Sequence, residues 1–365
     1  MSGTPIKATP EEIIPALRMI DPYFTEELAI IYKKSFNDSS EEISKVVKQR
    51  FERIMYRKTK SQVLRLPEKH IEKIKLSVKD PSSYLLKEVK EKINIEFEKE
   101  YAEKLKEYVL LRERFEILVK RFSSAPKNET KGYLDYIHMN TDPKKKDSKE
   151  EIHEYREEIY KKFLADNVYP NIDDPYIKKE LEELVTKYIF MVESARGKAI
   201  GKILPPAKTN CYIDILDNNQ KKIIEMIQNN PKKTIIFTPF LEVAKHAEIV
   251  MRKNGIGCVK IIGETKDRMD IIQKFKNDDM IDVLIATVQT LSTGVTLTEA
   301  NQMFFLGTPY RDADFQQACD RIHRIGQTMD VYIYIILLES KQKNITDRIQ
   351  EIMDWSADSS NSIIN

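Results

Sequence analysis

Between Gln317 and Gln327 the chain reads QACDRIHRIGQ, which sets Arg321 and Arg324 three residues apart with Asp320 and His323 beside them. Residues three apart share a face of a helix. Two side chains that stay charged and fork onto paired oxygens would then point the same way, and they suit a phosphate-like anion. The competing possibility is a structural pair neutralised by Asp320 or another nearby acid. His323 could belong to the core or support the arginines, and the residues alone leave both open.

Other chemistry is thinner. Cys211, Cys258 and Cys319 lie far apart without paired spacing, which argues against a zinc site or a disulfide framework and fits a reducing compartment. A phosphate loop needs Gly, four residues, Gly-Lys, then Ser or Thr. The nearest stretch, RGKAIGKI, has three residues between Gly197 and Gly201-Lys202, and Ile203 stands where the magnesium-holding hydroxyl belongs. No metal ligands are expected on this chain.

An arginine pair is useful only where a scaffold holds it. The 365 residues suggest two domains, or one with large insertions. A hydrophobic share of 41% supports a real core, and a charged share of 32% suggests long solvated helices. The net charge of +2 gives no bulk argument for a polyanionic partner, so phosphate binding must be local. No apolar run reaches spanning length and no signal pattern opens the chain, so a soluble intracellular protein is expected.

Eight of the ten glycines lie at or after Gly197. From Tyr84 to Phe122 there is neither glycine nor proline, and apolar residues recur mostly in steps of four from Leu85 and Val89 through Ile93, Phe97 and Tyr101. That pattern predicts a long helix with charged flanks. The stretch 122–148, with its lysine run at Lys144–Lys146, reads as a connector. Ser148 with Glu151 makes a capping box for a second helix, and Asp174-Pro175 opens a third. After Pro205-Pro206 the texture changes. Short apolar runs (TIIFTP, VKII, VLIAT, QMFFLG, YIYIILL) alternate with helical stretches such as LEVAKHAEIVMRKNG and DFQQACDRIHRI. Continuous apolar runs suit strands buried on both faces, so 206–345 reads as an α/β domain with a parallel sheet. Residues 81–205 read as a helical protrusion and 346–365 as a terminal helix and tail. Gly255 is expected at the C′ position of a helix. Ligands of such folds collect at the carboxyl ends of strands, where GET, ATVQT and GTPYRD begin.

In their order these segments resemble the Swi/Snf-type DNA-dependent ATPases of helicase superfamily two. TIIFTPF resembles motif IV, LIATVQTLSTGVTLTEA motif V, and QACDRIHRIGQ motif VI. Upstream, IMYRKTKSQVLRLPEKHIEKIKL resembles the stretch leaving the first lobe, and SGTPI resembles motif III. The resemblance implies that 206–345 is a second RecA-like lobe and that 1–80 is the tail end of a first lobe and its linker. Motif V departs from the family pattern at Gly294-Val295-Thr296, and Tyr310 stands where a tryptophan is usual.

The resemblance also implies roles. ATP and Mg2+ would be bound jointly with a first lobe bearing the Walker motifs, supplied by a separate or interrupted upstream gene segment. Arg321 and Arg324 would be catalytic. Gly294, Gln317, Asp320 and Gln327 would lie at the nucleotide, with Gln317 and Gln327 bridging it to motif V. Thr238, Thr265, Lys266 and Thr287 would contact a DNA backbone without reading sequence. The alternative for those residues is ordinary strand-end capping. Arg57 and Lys60 would brace the lobes. Two other readings stand beside the ATPase half: a non-catalytic DNA- or protein-binding module, and a coiled-helix adaptor built on 84–195. The abundance of Ile, Lys and Asn matches AT-rich genomes, many of them viral.

Overall fold

The computed structural model describes residues 14–21, 23–37, 49, 64–122, 175–287, 290 and 295–364. The SGTPI stretch, Arg57, Lys60, the connector, the capping-box helix at Ser148 and Gly294 lie outside them. Two compact units emerge, one of 1–86 with 207–365 and one of 87–206. Helices α1 (Ile14–Ile20) and α2 (Glu26–Asn37) precede strand β1 (Lys69–Leu76). Helices α3 (Leu86–Phe122), α4 (Pro175–Asn218) and α5 (Gln220–Gln228) follow. Then come β2 (Lys233–Thr238), α6 (Leu241–Lys253), β3 (Cys258–Ile261), α7 (Arg268–Asn277) and β4 (Val283–Thr287). The order closes with β5 (Ala300–Phe305), α8 (Asp312–Cys319), β6 (Val331–Leu338) and α9 (Ile345–Ile364).

The first unit is an α/β lobe on a parallel sheet in the order β1-β6-β5-β2-β4-β3. After β2 the chain builds β3 and β4 on one side, then crosses to build β5 and β6 on the other. The five apolar runs form the strands expected of them. β2, β4 and β5 are buried along nearly their whole length, as residues flanked by helices on both faces must be. Ile235, Phe237, Leu284, Met303 and Phe305 join Phe315, Cys319 and Ile322 in one core. The Phe305 ring sits 5.7 Å from Phe237 and 4.8 Å from Phe315. That packing fixes α8 to the sheet. Helix α6 ends as expected: Gly255 takes a φ of 75°, its N–H donates to Arg252 O, and Ile256 N–H donates to Met251 O, the Schellman pattern.

One expectation is corrected. Residues 69–76 do not belong with a tail and linker. They form β1, paired with β6 from Lys69 opposite Val331 to Leu76 opposite Leu338. The polar alternation of KHIEKIKL hid this strand, yet it suits the last position in a sheet, where lysines discourage further pairing. The third helix continues past the change of texture: α4 runs through both Pro205 and Pro206. Two backbone donors are lost there. Buried Ala195 and Ala199 before them, and Cys211 and Tyr212 after them, hold the helix on both sides.

The second unit contains most of α3 and the first part of α4. Val89, Val192, Ala195 and Ala199 are buried in it. Lys202 bonds Glu96 at 2.9 Å and also Glu100, a buried carboxylate. Glu96 is held below its ordinary pKa, first by the Lys202 hydrogen bond.

Candidate nucleotide- and DNA-facing sites

The residues singled out by sequence do not gather at one place. They occupy opposite edges of the parallel sheet. At the carboxyl edge, Thr238 ends β2 and lies in register with Thr287 at the end of β4. Thr238 is fully buried, and its hydroxyl accepts from Phe240 N–H at 3.2 Å. It caps the chain's exit from the strand, so its side chain is closed to a DNA backbone. Thr287 is half-buried and donates to Thr290 Oγ1 at 3.1 Å. Thr290 is itself buried, with its hydroxyl 2.7 Å from Thr287 O and 3.1 Å from Ile261 O. That hydroxyl ties the ends of β3 and β4 together and was not singled out from sequence.

Beyond β3 the GET loop folds back on itself. Thr265 Oγ1 accepts from Ile262 N–H at 3.0 Å. The Arg268 guanidinium donates to Gly263 O at 3.0 Å and Thr265 O at 3.1 Å. This rigid loop leaves Lys266 exposed. On the same edge, Lys208 donates to the Tyr310 hydroxyl and lies 4.9 Å from its ring centre.

The motif VI segment sits at the amino edge. Helix α8 does not extend through it, as the sequence reading assumed. It ends at Cys319, and i→i−3 bonds take over: Arg321 N–H to Ala318 O at 3.1 Å and Ile322 N–H to Cys319 O at 3.2 Å. The two arginines differ in depth. Arg321 is 7% exposed, whereas Arg324 is exposed. Burial foremost, then the Arg324 charge, lowers the Arg321 pKa, with Asp320 opposing. Arg321 still keeps its charge at neutral pH. Asp320 is the half-buried C-cap of α8, and Gln317 lies exposed on that helix.

Gln327 is buried and heavily bonded. Its Nε2 donates to Ala300 O at 2.8 Å and Ile322 O at 3.1 Å. Its Oε1 accepts from Lys232 Nζ at 2.9 Å, Thr328 N–H at 3.0 Å and Met329 N–H at 3.2 Å. It therefore reaches the end of motif V, with its amide fully engaged by protein. Gly326 just before it has a φ of 101°, which a β-carbon makes costly. Leu297 N–H donates to Arg321 O at 2.8 Å. His323 Nε2 lies 2.9 Å from Pro67 O, and Asp330 Oδ1 accepts from Glu68 N–H at 2.9 Å. The arginine turn is thus moored to the segment entering β1. Lys232 carried no signal in sequence, because a lysine before an apolar strand usually marks only its solvated flank.

Comparison with known proteins gives a family match for part of the chain. The helicase conserved C-terminal domain model covers residues 218–326, from the end of α4 into the arginine turn. This stretch resembles the carboxyl-terminal lobe of Swi/Snf-type helicases. Helicase SWR1 of Saccharomyces cerevisiae is 31% identical over 119 residues, covering 32% of this chain and 8% of that protein. A probable ATP-dependent helicase of Plasmodium falciparum is 32% identical over 121 residues, covering 33% of this chain and 6% of that one. An ATP-dependent helicase of Mycoplasma pneumoniae is 32% identical over 145 residues, covering 38% and 14%. The matches therefore span a small part of these relatives' length. The crystal structure of the C-terminal part of the Fun30 ATPase domain is 18% identical, with coverage of 82% of this chain, 99% of that one and a TM-score of 0.39.

The segments that resemble motifs IV, V and VI follow one another in this lobe. No helix among the described residues is long and apolar enough to cross a membrane.

Proposed function

We propose that this helicase lobe is the second half of a DNA-dependent ATPase and translocase. The observation that carries the reading is Arg321: a largely buried guanidinium, beside a second exposed one, on a turn bonded at its carbonyl by Leu297 and moored at its end by Gln327. When ATP is bound between two lobes, its hydrolysis builds negative charge on the transferred phosphoryl oxygens. Arg321 would donate its fork to those oxygens, and Arg324 would add charge at the rim. Among the described residues no three carboxylate, histidine or cysteine groups converge on a metal position. Magnesium would be held by residues of the first lobe.

The carboxyl edge would face DNA through Lys266, with Thr265 and Thr287 beside it and Thr238 acting only as a cap. Contacts of that kind position a backbone and do not read bases. DNA binding by this chain should accordingly be weak and sequence-independent. Lys266→Ala should reduce the slope of log affinity against log salt by about 0.9, the share of one phosphate contact on duplex. Titration of labelled duplexes of unrelated sequence at several salt concentrations measures it. An unchanged slope removes Lys266 from the interface, and preference for one sequence defeats the translocase reading.

The function itself is tested by phosphate release. The 365-residue chain alone should release no phosphate in response to DNA, and its mixture or fusion with a Walker-bearing first lobe should do so. A mixture that binds DNA but never turns over ATP would favour a non-catalytic binding module.

A further inference from the structure

Lys232 lies between the helical layer and β2, at the amino edge of the sheet. Its ammonium has three donors and three acceptors around it: Gln327 Oε1 at 2.9 Å, Thr328 Oγ1 at 3.2 Å and Thr298 O at 3.3 Å. Gln327 ends motif VI and Thr328 follows it. Thr298 belongs to the end of motif V, whose Leu297 N–H holds the Arg321 carbonyl. One side chain therefore clasps both strands of chain that fix the Arg321 turn. The lysine is itself placed by Asn230, whose side-chain amide donates to Lys232 O.

We infer that Lys232 is a positioning residue for the arginine turn, holding Arg321 and Arg324 in the geometry that a phosphoryl group requires. This rests on the arginine role proposed above. Lys232 is not a phosphate ligand in its own right, because its donors are already engaged. Nor is it the sole anchor of the turn. Gln327 keeps four other bonds, to Ala300, Ile322, Thr328 and Met329. Loss of the ammonium should leave the lobe folded and loosen the turn. A charged hydrogen bond is worth more than a neutral one, so the clasp has a disproportionate share in the turn's rigidity.

Two measurements test this, and they fail independently of the arginine reading. The first is amide exchange on the full chain. In Lys232→Met, amides of 321–329 should exchange about tenfold faster or more, the consequence of losing the ammonium's charged hydrogen bonds. Amides of 235–237 and 303–305 should keep their rates. Unchanged rates at 321–329, or equal acceleration everywhere, would overturn the proposal. The second is steady-state ATPase of the chain assembled with a Walker-bearing lobe. Lys232→Met should lower kcat about tenfold with little change in KM, because a displaced guanidinium loses transition-state contact rather than ground-state binding. Lys232→Arg, which restores the charge and donors, should recover most of that loss. A raised KM at unchanged kcat would make Lys232 a direct nucleotide contact and overturn the assignment. If Arg321→Ala impairs turnover and Lys232→Met does not, the clasp fails while the arginine role stands. If neither variant affects turnover, the arginine role fails, and the exchange experiment alone decides whether the clasp holds the turn.

Discussion

Replacing Arg321 by alanine should lower phosphate release from the assembled lobe pair by at least about 10³-fold, the lower range for an arginine finger. The argument is differential. Negative charge on the transferred oxygens grows as the bond breaks, so a guanidinium across the cleft gains most in the transition state. Nucleotide affinity should change far less, because the phosphates are gripped in the ground state by the other lobe. Arg321→Lys should recover activity only in part, since an ammonium lacks the planar fork. Arg324→Ala should cost less, because its exposed position leaves its charge better screened than that of the buried Arg321. The assay is steady-state phosphate release with and without DNA, paired with nucleotide binding. Equal losses in affinity and turnover would mean ground-state binding, and an unaffected Arg321 variant would remove the finger.

Gly257→Ala is the substitution expected to cost most in stability. A β-carbon there would meet Met280 O at 1.6 Å and Ile281 Cα at 3.3 Å, and both are backbone atoms. No rotamer change relieves such a contact, so 256–258 must move away from 280–282. That movement breaks Asp282 N–H to Gly257 O at 2.9 Å and Val283 N–H to Gly257 O at 3.1 Å. These bonds lead into the β3–β4 pairing, which runs from Cys258 opposite Val283 to Ile261 opposite Ala286. Two backbone bonds lost near the core, each worth about 1–3 kcal/mol when a buried group is left unsatisfied, predict a loss of about 3–5 kcal/mol. Urea denaturation of the full chain measures it. Gly255→Ala is the control: nothing lies within 4 Å of its β-carbon, and only its φ of 75° opposes the change, a cost of about 1 kcal/mol. Equal losses at the two positions would refute the close-approach argument.

Much of the lobe was legible because burial leaves a periodic trace. Runs such as TIIFTP and VLIAT are apolar at every position, and only a strand covered on both faces uses that pattern. The C′ role of Gly255 was legible for a similar reason, since few residues accept its backbone conformation. β1 was not legible. Its lysines and histidine alternate with apolar residues as they do on many solvated segments, and its single neighbour, β6, lies some 260 residues along the chain. At Pro205-Pro206 in α4, packing on either side overrides the local rule against proline in helices.

The candidate site divides along the same line. Sequence alone determined which residues could do chemistry: two arginines at fixed spacing, a terminal glutamine, and hydroxyls and a lysine at strand ends. Residue type sets charge, donors and reach, and those are properties of the side chain itself. Only the tertiary structure decided where they stand. It separated the strand-end residues from the arginine turn by the length of the sheet, about 17 Å along β2 at roughly 3.3 Å per residue. It sank Arg321 while leaving Arg324 at the surface, turned Thr238 into a cap, saturated Gln327, and made an unremarked lysine the clasp of the turn. Depth and hydrogen-bond occupancy arise from residues distant in sequence meeting in space: Lys232 with Gln327, His323 with Pro67, Leu297 with Arg321. Spacing along a chain carries no record of such meetings.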